Sequence, residues 1–124
     1  MKFKNYGVAT GRTVAVSFFP IKGGELARVK IAVQRDYIPK GAKEAPADYI
    51  EMTGFIRSED GSRGIYGYIR TGDLMSVQYT VQSSVSEKNG EKQYYQNLII
   101  EHLEFLESKA VRDARHQEKI AAKK

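Results

Sequence analysis

Few side chains in this sequence could carry out a reaction. The histidines His102 and His116 stand far apart, cysteine is absent, and no metal-ligand spacing or supported carboxylate pair occurs. The glycines of Gly23–Gly24 and Gly61–Gly64 lack the lysine and flanking pattern of a phosphate-binding loop. We therefore expect no enzyme activity, no cofactor and no metal site.

Aromatic and cationic residues indicate binding instead. Tyr49 and Phe55 are six positions apart in one predicted strand, so both rings lie on the same face. The preceding strand ends in Arg35 and Tyr37. It also carries Arg28 and Lys30, and Arg57 lies just past the end of the strand with the two rings. Exposed rings among cations suit single-stranded nucleic acid, because each stacked base contributes about 1–3 kcal/mol while cations follow the phosphates.

Two other interpretations fit the same residues. Lysine and arginine are common on any solvated strand face, and the rings of Tyr49 and Phe55 could pack on a loop or on a partner subunit. Duplex DNA fits the pattern less well, since it offers no free base faces for stacking. The residue pattern alone does not separate binding from these structural roles.

The elements that would position these residues are strands. In Glu25–Tyr37, Ala27, Val29, Ile31 and Val33 alternate with polar residues, which is typical of a strand with one buried face. Four other segments have strand character, namely 5–19 (with a bulge or bend expected at Gly11), 48–56, 73–85 and 92–106. A short or irregular helix is predicted within Ser58–Thr71, and Asn89-Gly90 predicts a hairpin turn. This order predicts an all-β fold, an OB-fold five-stranded Greek-key barrel with a short helix between strands 3 and 4.

Charge is unevenly placed along the chain. The formal net charge is +5, and residues 107–124 hold six lysines and arginines against three acidic residues. We expect one domain over residues 1–107 and a basic tail over 108–124 that is a frayed helix or disordered, because it has no apolar stripe to dock. Deleting that tail should then leave the folded domain unchanged.

No apolar run has the length of a signal peptide or a membrane span. A cytoplasmic protein without a membrane partner is the expectation, and the absence of cysteine agrees with a reducing compartment.

Four segments in order resemble bacterial-type single-stranded DNA-binding proteins. ARVKIAVQRDY (27–37) is similar to that family's second strand, and ADYIEMTGF (47–55) to its third. YIRTGDLMSVQYTVQS (68–83) resembles its helix end, glycine turn and fourth strand, and SEKNGEKQYYQNLIIEHLEFLE (86–107) its closing hairpin. The resemblance implies sequence-independent binding of single-stranded DNA in replication, recombination and repair.

The resemblance also assigns roles to individual positions. Tyr37 and Tyr49 take the places of base-stacking tryptophans, Phe55 that of a stacking phenylalanine, and Arg57 and Arg70 those of backbone-contacting cations. It further implies a homotetramer, with a dimer as the alternative. Strand 1 around 7–13 is the predicted subunit edge.

The sequence departs from the family in three ways. It has no tryptophan, Val85 or its neighbours replace an aromatic residue of the fourth strand, and the sequence ends in the basic IAAKK instead of an acidic tail. We therefore expect no recruitment of partners through an acidic tail. A short member of this kind resembles bacteriophage proteins, for which the compartment would be the host cytoplasm. An OB-fold protein-interaction module of the replisome or primosome, or an oligosaccharide-binding OB-fold, are the alternative functions.

Overall fold

A computed structural model describes residues 5–122 as a five-stranded sheet followed by one helix. The strands are β1 (Gly7–Ile21), β2 (Gly24–Gln34), β3 (Ala47–Arg57), β4 (Leu74–Lys88) and β5 (Glu91–Phe105), and the helix α1 is Lys109–Ala122. The five predicted strands are thus confirmed, each within three residues of its predicted bounds.

The sheet closes into a barrel in the order β1-β2-β3-β5-β4. Antiparallel ladders join the sequential pairs β1–β2, β2–β3 and β4–β5, and β1 also pairs with β4. The barrel is completed by a parallel contact at Thr53 and Ile99 between β3 and β5. The β4–β5 turn has left-handed backbone at Asn89 and Gly90, with φ of 56° and 81°, as expected for the hairpin that this dipeptide predicts.

Alternating apolar side chains fill the barrel interior. Val29 and Ile31 of β2, Met52 of β3, and Met75 and Val77 of β4 are all 1% exposed or less. Burying such a side chain contributes roughly 1.5–3 kcal/mol. The same alternation turns Tyr49, Glu51 and Phe55 to the outside, as the sequence predicts.

The bulge in β1 lies three residues from the predicted position. Thr13 is opposite Ile31 and Ala15 is opposite Lys30, so Val14 is the extra residue. Gly11 has a different role, because a Cβ atom there would lie 2.3 Å from the backbone oxygen of Ala32. The glycine of this strand therefore serves close strand packing, and the expectation of a bulge at Gly11 is wrong.

Two short 3-10 helices, Ser58–Asp60 and Gly64–Tyr68, join β3 to β4. Tyr66 of the second packs against the core and lies over Gly54, where a Cβ atom would come within 2.2 Å of the Tyr66 hydroxyl. Burial, and next the charge of Glu101, raise the pKa of the Tyr66 hydroxyl above its usual value.

The helix α1 docks on the barrel through arginines. Arg112 Nη2 lies 2.9 Å from Asp73 Oδ2, and Arg115 Nη1 lies 3.6 Å from Asp73 Oδ1. Asp73 is 2% exposed. The described part of the tail is thus a helix that contacts the barrel through charged groups, where the sequence predicts a frayed helix or a disordered segment without a docking surface.

A second carboxylate links this helix to β1. Glu107 pairs with Arg115 and, at 3.1 Å, with Arg12. Burial opposes ionisation of Glu107, but hydrogen bonds from Arg115 and Arg12 outweigh it and lower the pKa of the carboxyl.

Over residues 5–122, no helix is long and apolar enough to cross a membrane.

Candidate nucleic-acid interface

The two predicted stacking rings lie on the outer face of β3. Tyr49 is 66% exposed and Phe55 is 57% exposed. Six residues of strand separate their Cα atoms by roughly 20 Å. In the β2–β3 ladder Tyr49 is opposite Ala32, and Phe55 is opposite Leu26. Each ring therefore has a small or apolar neighbour that leaves its face accessible.

The predicted cations of β2 lie between these rings. Arg28 is opposite Thr53, and Lys30 is opposite Glu51. Arg57 lies at the end of β3, two positions beyond Phe55 on the same face. The fold thus brings Arg28, Lys30 and Arg57 onto one surface with both rings, which we call the β2–β3 face.

Carboxylates accompany most of these cations. Arg28 Nε is 3.3 Å from Glu51, and Arg57 Nη1 is 3.5 Å from Glu59. Lys30 has no ion pair among the described residues. Exposed pairs of this kind are weak and screened by salt, so a phosphate can replace the carboxylate as partner. The face therefore holds cations without a large excess of positive charge.

Arg35 and Tyr37 lie past the end of β2, close to the Tyr49 end of the face. Arg35 forms a two-pronged pair with Asp48, with distances of 2.8 Å and 3.0 Å. Hydrogen bonds to Asp48 and then to Tyr37 raise the pKa of Arg35, and the bond from Arg35 lowers the pKa of Asp48. Tyr37 is 59% exposed in the loop that leads to β3.

The Arg35–Asp48 pair predicts a dependence on pH. Because the Asp48 pKa is lower in the folded state, the pair stabilises the fold above the unfolded pKa of aspartate, about 3.9, and loses its effect as pH falls through the folded pKa. Replacing Arg35 with glutamine is expected to return the Asp48 pKa toward its usual value. Carboxyl ¹³C NMR titration of both proteins measures this, and equal Asp48 pKa values would contradict the pairing.

Arg70 does not join the β2–β3 face. It lies between the second 3-10 helix and β4, and Arg70 Nη1 is 3.0 Å from Asp113 of α1. The family resemblance assigns Arg70 a role beside DNA, but in this structure it faces the C-terminal helix.

The sequence patterns do not single out several rings that the structure exposes. Phe19 is 45% exposed on β1, and Tyr68 is 70% exposed at the end of the second 3-10 helix. On the β4–β5 hairpin, Tyr94 is 73% exposed and lies opposite Val85. The alternation of β1 could have indicated Phe19, since Ser17 and Phe19 share the face opposite to Val16 and Phe18. The position of Tyr94 opposite Val85 depends on the register between β4 and β5, which the strand pattern by itself does not determine.

Within the described range, no group of three or more histidine, aspartate or glutamate side chains could hold a metal ion.

The fold is similar to those of several solved structures. A Plasmodium falciparum single-stranded DNA-binding protein in complex with single-stranded DNA matches with a TM-score of 0.64 and 17% identity, over 86% of this chain and 98% of that one. The mitochondrial protein Rim1 from S. cerevisiae matches with a TM-score of 0.58 and 19% identity, over 87% and 99% of the two chains.

A small single-stranded DNA-binding protein from Streptomyces coelicolor matches with a TM-score of 0.56 and 15% identity, over 83% of this chain and 95% of that one. No protein-family model matches the sequence, and no curated protein matches it. The likeness is thus one of fold, and this chain has the barrel that single-stranded DNA-binding proteins of three organisms share.

Proposed function

We propose that the protein binds single-stranded DNA without sequence preference and catalyses no reaction. Bases stack on Tyr37, Tyr49 and Phe55, while Arg28, Lys30, Arg35 and Arg57 contact the phosphates. One observation carries this proposal: two widely exposed rings on β3 enclose a cationic stretch of β2. Ring stacking together with phosphate neutralisation is the ordinary means of binding single strands.

The comparison of single strand with duplex tests this proposal directly. Oligo-dT and a duplex of equal length are titrated against the protein by fluorescence anisotropy at one salt concentration. Binding should strongly favour the single strand, whose bases are available for stacking. Equal affinity for both would show that charge alone holds the DNA, and no binding to either would refute the proposal.

The binding should also depend on salt in a way that identifies the cations. Replacing Lys30 with alanine is expected to reduce the log–log salt slope by about 0.7, the value for one phosphate contact on a single strand. Affinity should fall alike for all sequences. Oligo-dT titrations over a salt series measure both effects.

Glu51→Gln is the matched control for that experiment. This substitution removes the carboxylate next to Arg28 and opposite Lys30. Affinity for DNA should rise, because the phosphates no longer compete with that carboxylate for the two cations. A lower affinity in Lys30→Ala with an unchanged slope would mean that Lys30 does not neutralise a phosphate.

The carboxylate pairing of the arginines favours a second candidate, an OB-fold protein-interaction module of a replisome or primosome. A face with balanced charge and exposed rings also suits a protein partner. Binding of oligo-dT that falls steeply with salt favours DNA. Absence of such binding, with intact folding, favours the interaction module.

For the biological role, we propose protection of single strands in replication, recombination and repair by a homotetramer, with a dimer as the alternative. Residues 7–11 of β1 pair with β4, while the β1–β2 ladder begins only at Arg12. Among the described residues, the other backbone edge of residues 7–10 pairs with no strand and is therefore available to a second copy, and Val8 beside it is 59% exposed. Sedimentation analysis of the wild type and of Val8→Lys tests this assembly.

A further inference from the structure

An apolar row crosses three strands at the end of the barrel that holds Phe55. Phe19 of β1 is opposite Leu26 of β2, and Leu26 is opposite Phe55 of β3. Neighbouring strands lie about 4.7–4.9 Å apart, so the backbones of Phe19 and Phe55 are separated by roughly 10 Å. Leu26 is partly buried and forms the floor between the two rings.

Both rings of this row are open to the outside. Phe19 is 45% exposed and Phe55 is 57% exposed. Ile21, the next outward residue of β1, is 41% exposed. A row with two accessible rings and an apolar floor offers more contact area than Phe55 alone.

Positive charge adjoins the row on both sides. The guanidinium carbon of Arg28 lies 5.3 Å from the centre of the Phe19 ring, within the range of a cation–π contact. On the other side of the row, Arg57 lies two positions beyond Phe55 on β3. It is opposite Gly24 of β2, which is in turn opposite Ile21 of β1. β1 itself contains no carboxylate. Arg28 and Arg57 are paired with the exposed carboxylates of Glu51 and Glu59, and such exposed pairs are weak. The phosphates of a polyanion with planar apolar groups can replace these carboxylates, whereas a second copy of the face would bring the same cations.

The space beyond the row is open. Gly24 has no side chain between Ile21 and Arg57, and a cleft of about 650 Å³ lies there, with Ser58, Ser62 and Arg63 on its wall. The cleft adjoins the row on the side of Ile21 and Arg57.

From this geometry we propose that Phe19 is a base-stacking residue and that single-stranded DNA crosses from β3 to β1 over the row Phe55–Leu26–Phe19. The inference rests on the proposed function and adds a position and a direction to it. The DNA then runs across the strands at this end of the barrel and is not confined to the β2–β3 face. Arg28 belongs to both surfaces, since it is a cation of the β2–β3 face and also contacts the Phe19 ring of the row.

Substitution of Phe19 tests the proposal. Phe19→Ala should weaken binding of a long oligo-dT by roughly five- to 150-fold, whereas Phe19→Tyr, which keeps the ring, should bind nearly as well as the wild type. Tyr68→Ala is the matched control, because it removes an exposed ring outside the row and should leave affinity unchanged. Thermal unfolding and sedimentation of each variant are measured in parallel.

Crosslinking of the wild-type protein gives an answer that does not depend on a variant's folding. Ultraviolet irradiation with bromodeoxyuridine-substituted oligo-dT, followed by mass spectrometry, should identify Phe19 as well as Phe55. Normal affinity in Phe19→Ala with no crosslink at Phe19, while Phe55→Ala weakens binding, would overturn this inference and leave the proposed function standing.

Two further outcomes would also overturn it. Dissociation of an oligomer by Phe19→Ala would identify the row as a subunit interface. A wild-type protein that binds no oligo-dT would refute the proposed function and this inference together.

Discussion

Replacing Arg112 with methionine is expected to lower the free energy of unfolding by about 3–5 kcal/mol, the usual effect of removing one partner from a buried ion pair. The substitution keeps an unbranched side chain over the ring of Phe105 but removes the charge next to Asp73. Urea unfolding followed by circular dichroism measures the change. A domain of ordinary stability has only about 5–15 kcal/mol in total, so the loss would be severe.

The size of this effect follows from how Asp73 is enclosed. Its side chain is 2% exposed, and Arg112 is 11% exposed. Arg112 Nη2 also donates a 2.6 Å hydrogen bond to the backbone oxygen of Tyr68, and its guanidinium carbon lies 3.7 Å from the centre of the Phe105 ring. Without Arg112, the carboxylate keeps Arg115 at 3.6 Å and the amide of Arg70 at 2.8 Å. These contacts compensate only partly for a buried negative charge.

Asp113→Asn is the control from the same helix. Its pair with Arg70 has side chains that are 43% and 45% exposed, so its loss should cost no more than about 1 kcal/mol. Equal unfolding curves for Arg112→Met and the wild type would mean that α1 is not held by Asp73. Truncation after Glu107 should destabilise the barrel in the same direction, contrary to what the composition of the tail predicts.

The docking of α1 shows where the sequence ceases to be informative. An apolar stripe is the usual signal that a helix docks, and the side chains described for this helix, up to Glu118, form none that reaches the barrel. Its anchor is a pair between Arg112 and Asp73, which are far apart in the chain and have no local signature. The strand pattern marks Asp73 only as the start of a strand. The burial that makes the pair strong exists only once the barrel has closed.

The strands are predictable because their signal is local. Alternation in β2 and β3 decides which residues face inward, and by itself it assigns Arg28, Lys30, Tyr49 and Phe55 to one side. Register between strands is a different matter. Pairing across β1, β2 and β3 places Phe19 in one row with Phe55 and Glu51 next to Arg28. The bulge at Val14 shifts the register of β1 against β2.

The largest effect on function should come from removing both rings of β3. Tyr49→Ala and Phe55→Ala are each expected to weaken binding of oligo-dT by about 1–3 kcal/mol, the contribution of one stacked base. The rings lie roughly 20 Å apart along the strand, too far for a shared contact. The losses should therefore add, and the double variant should bind oligo-dT about 2–6 kcal/mol more weakly than the wild type. Fluorescence anisotropy with a labelled oligonucleotide measures all three variants.

Controls separate stacking from packing. Tyr49→Phe keeps the ring and should keep nearly all of the affinity, while the free energy of unfolding should change little in any variant, because both rings are more than half exposed. If Tyr49→Ala and Phe55→Ala retain full affinity but unfold more easily or lose their oligomeric state, the rings pack on protein and the stacking role is excluded. If only Phe55→Ala weakens binding, the DNA follows the row toward Phe19 and does not extend along β3 to Tyr49. Additive losses in both variants, with normal unfolding, would show that one strand of DNA contacts the whole length of the β2–β3 face.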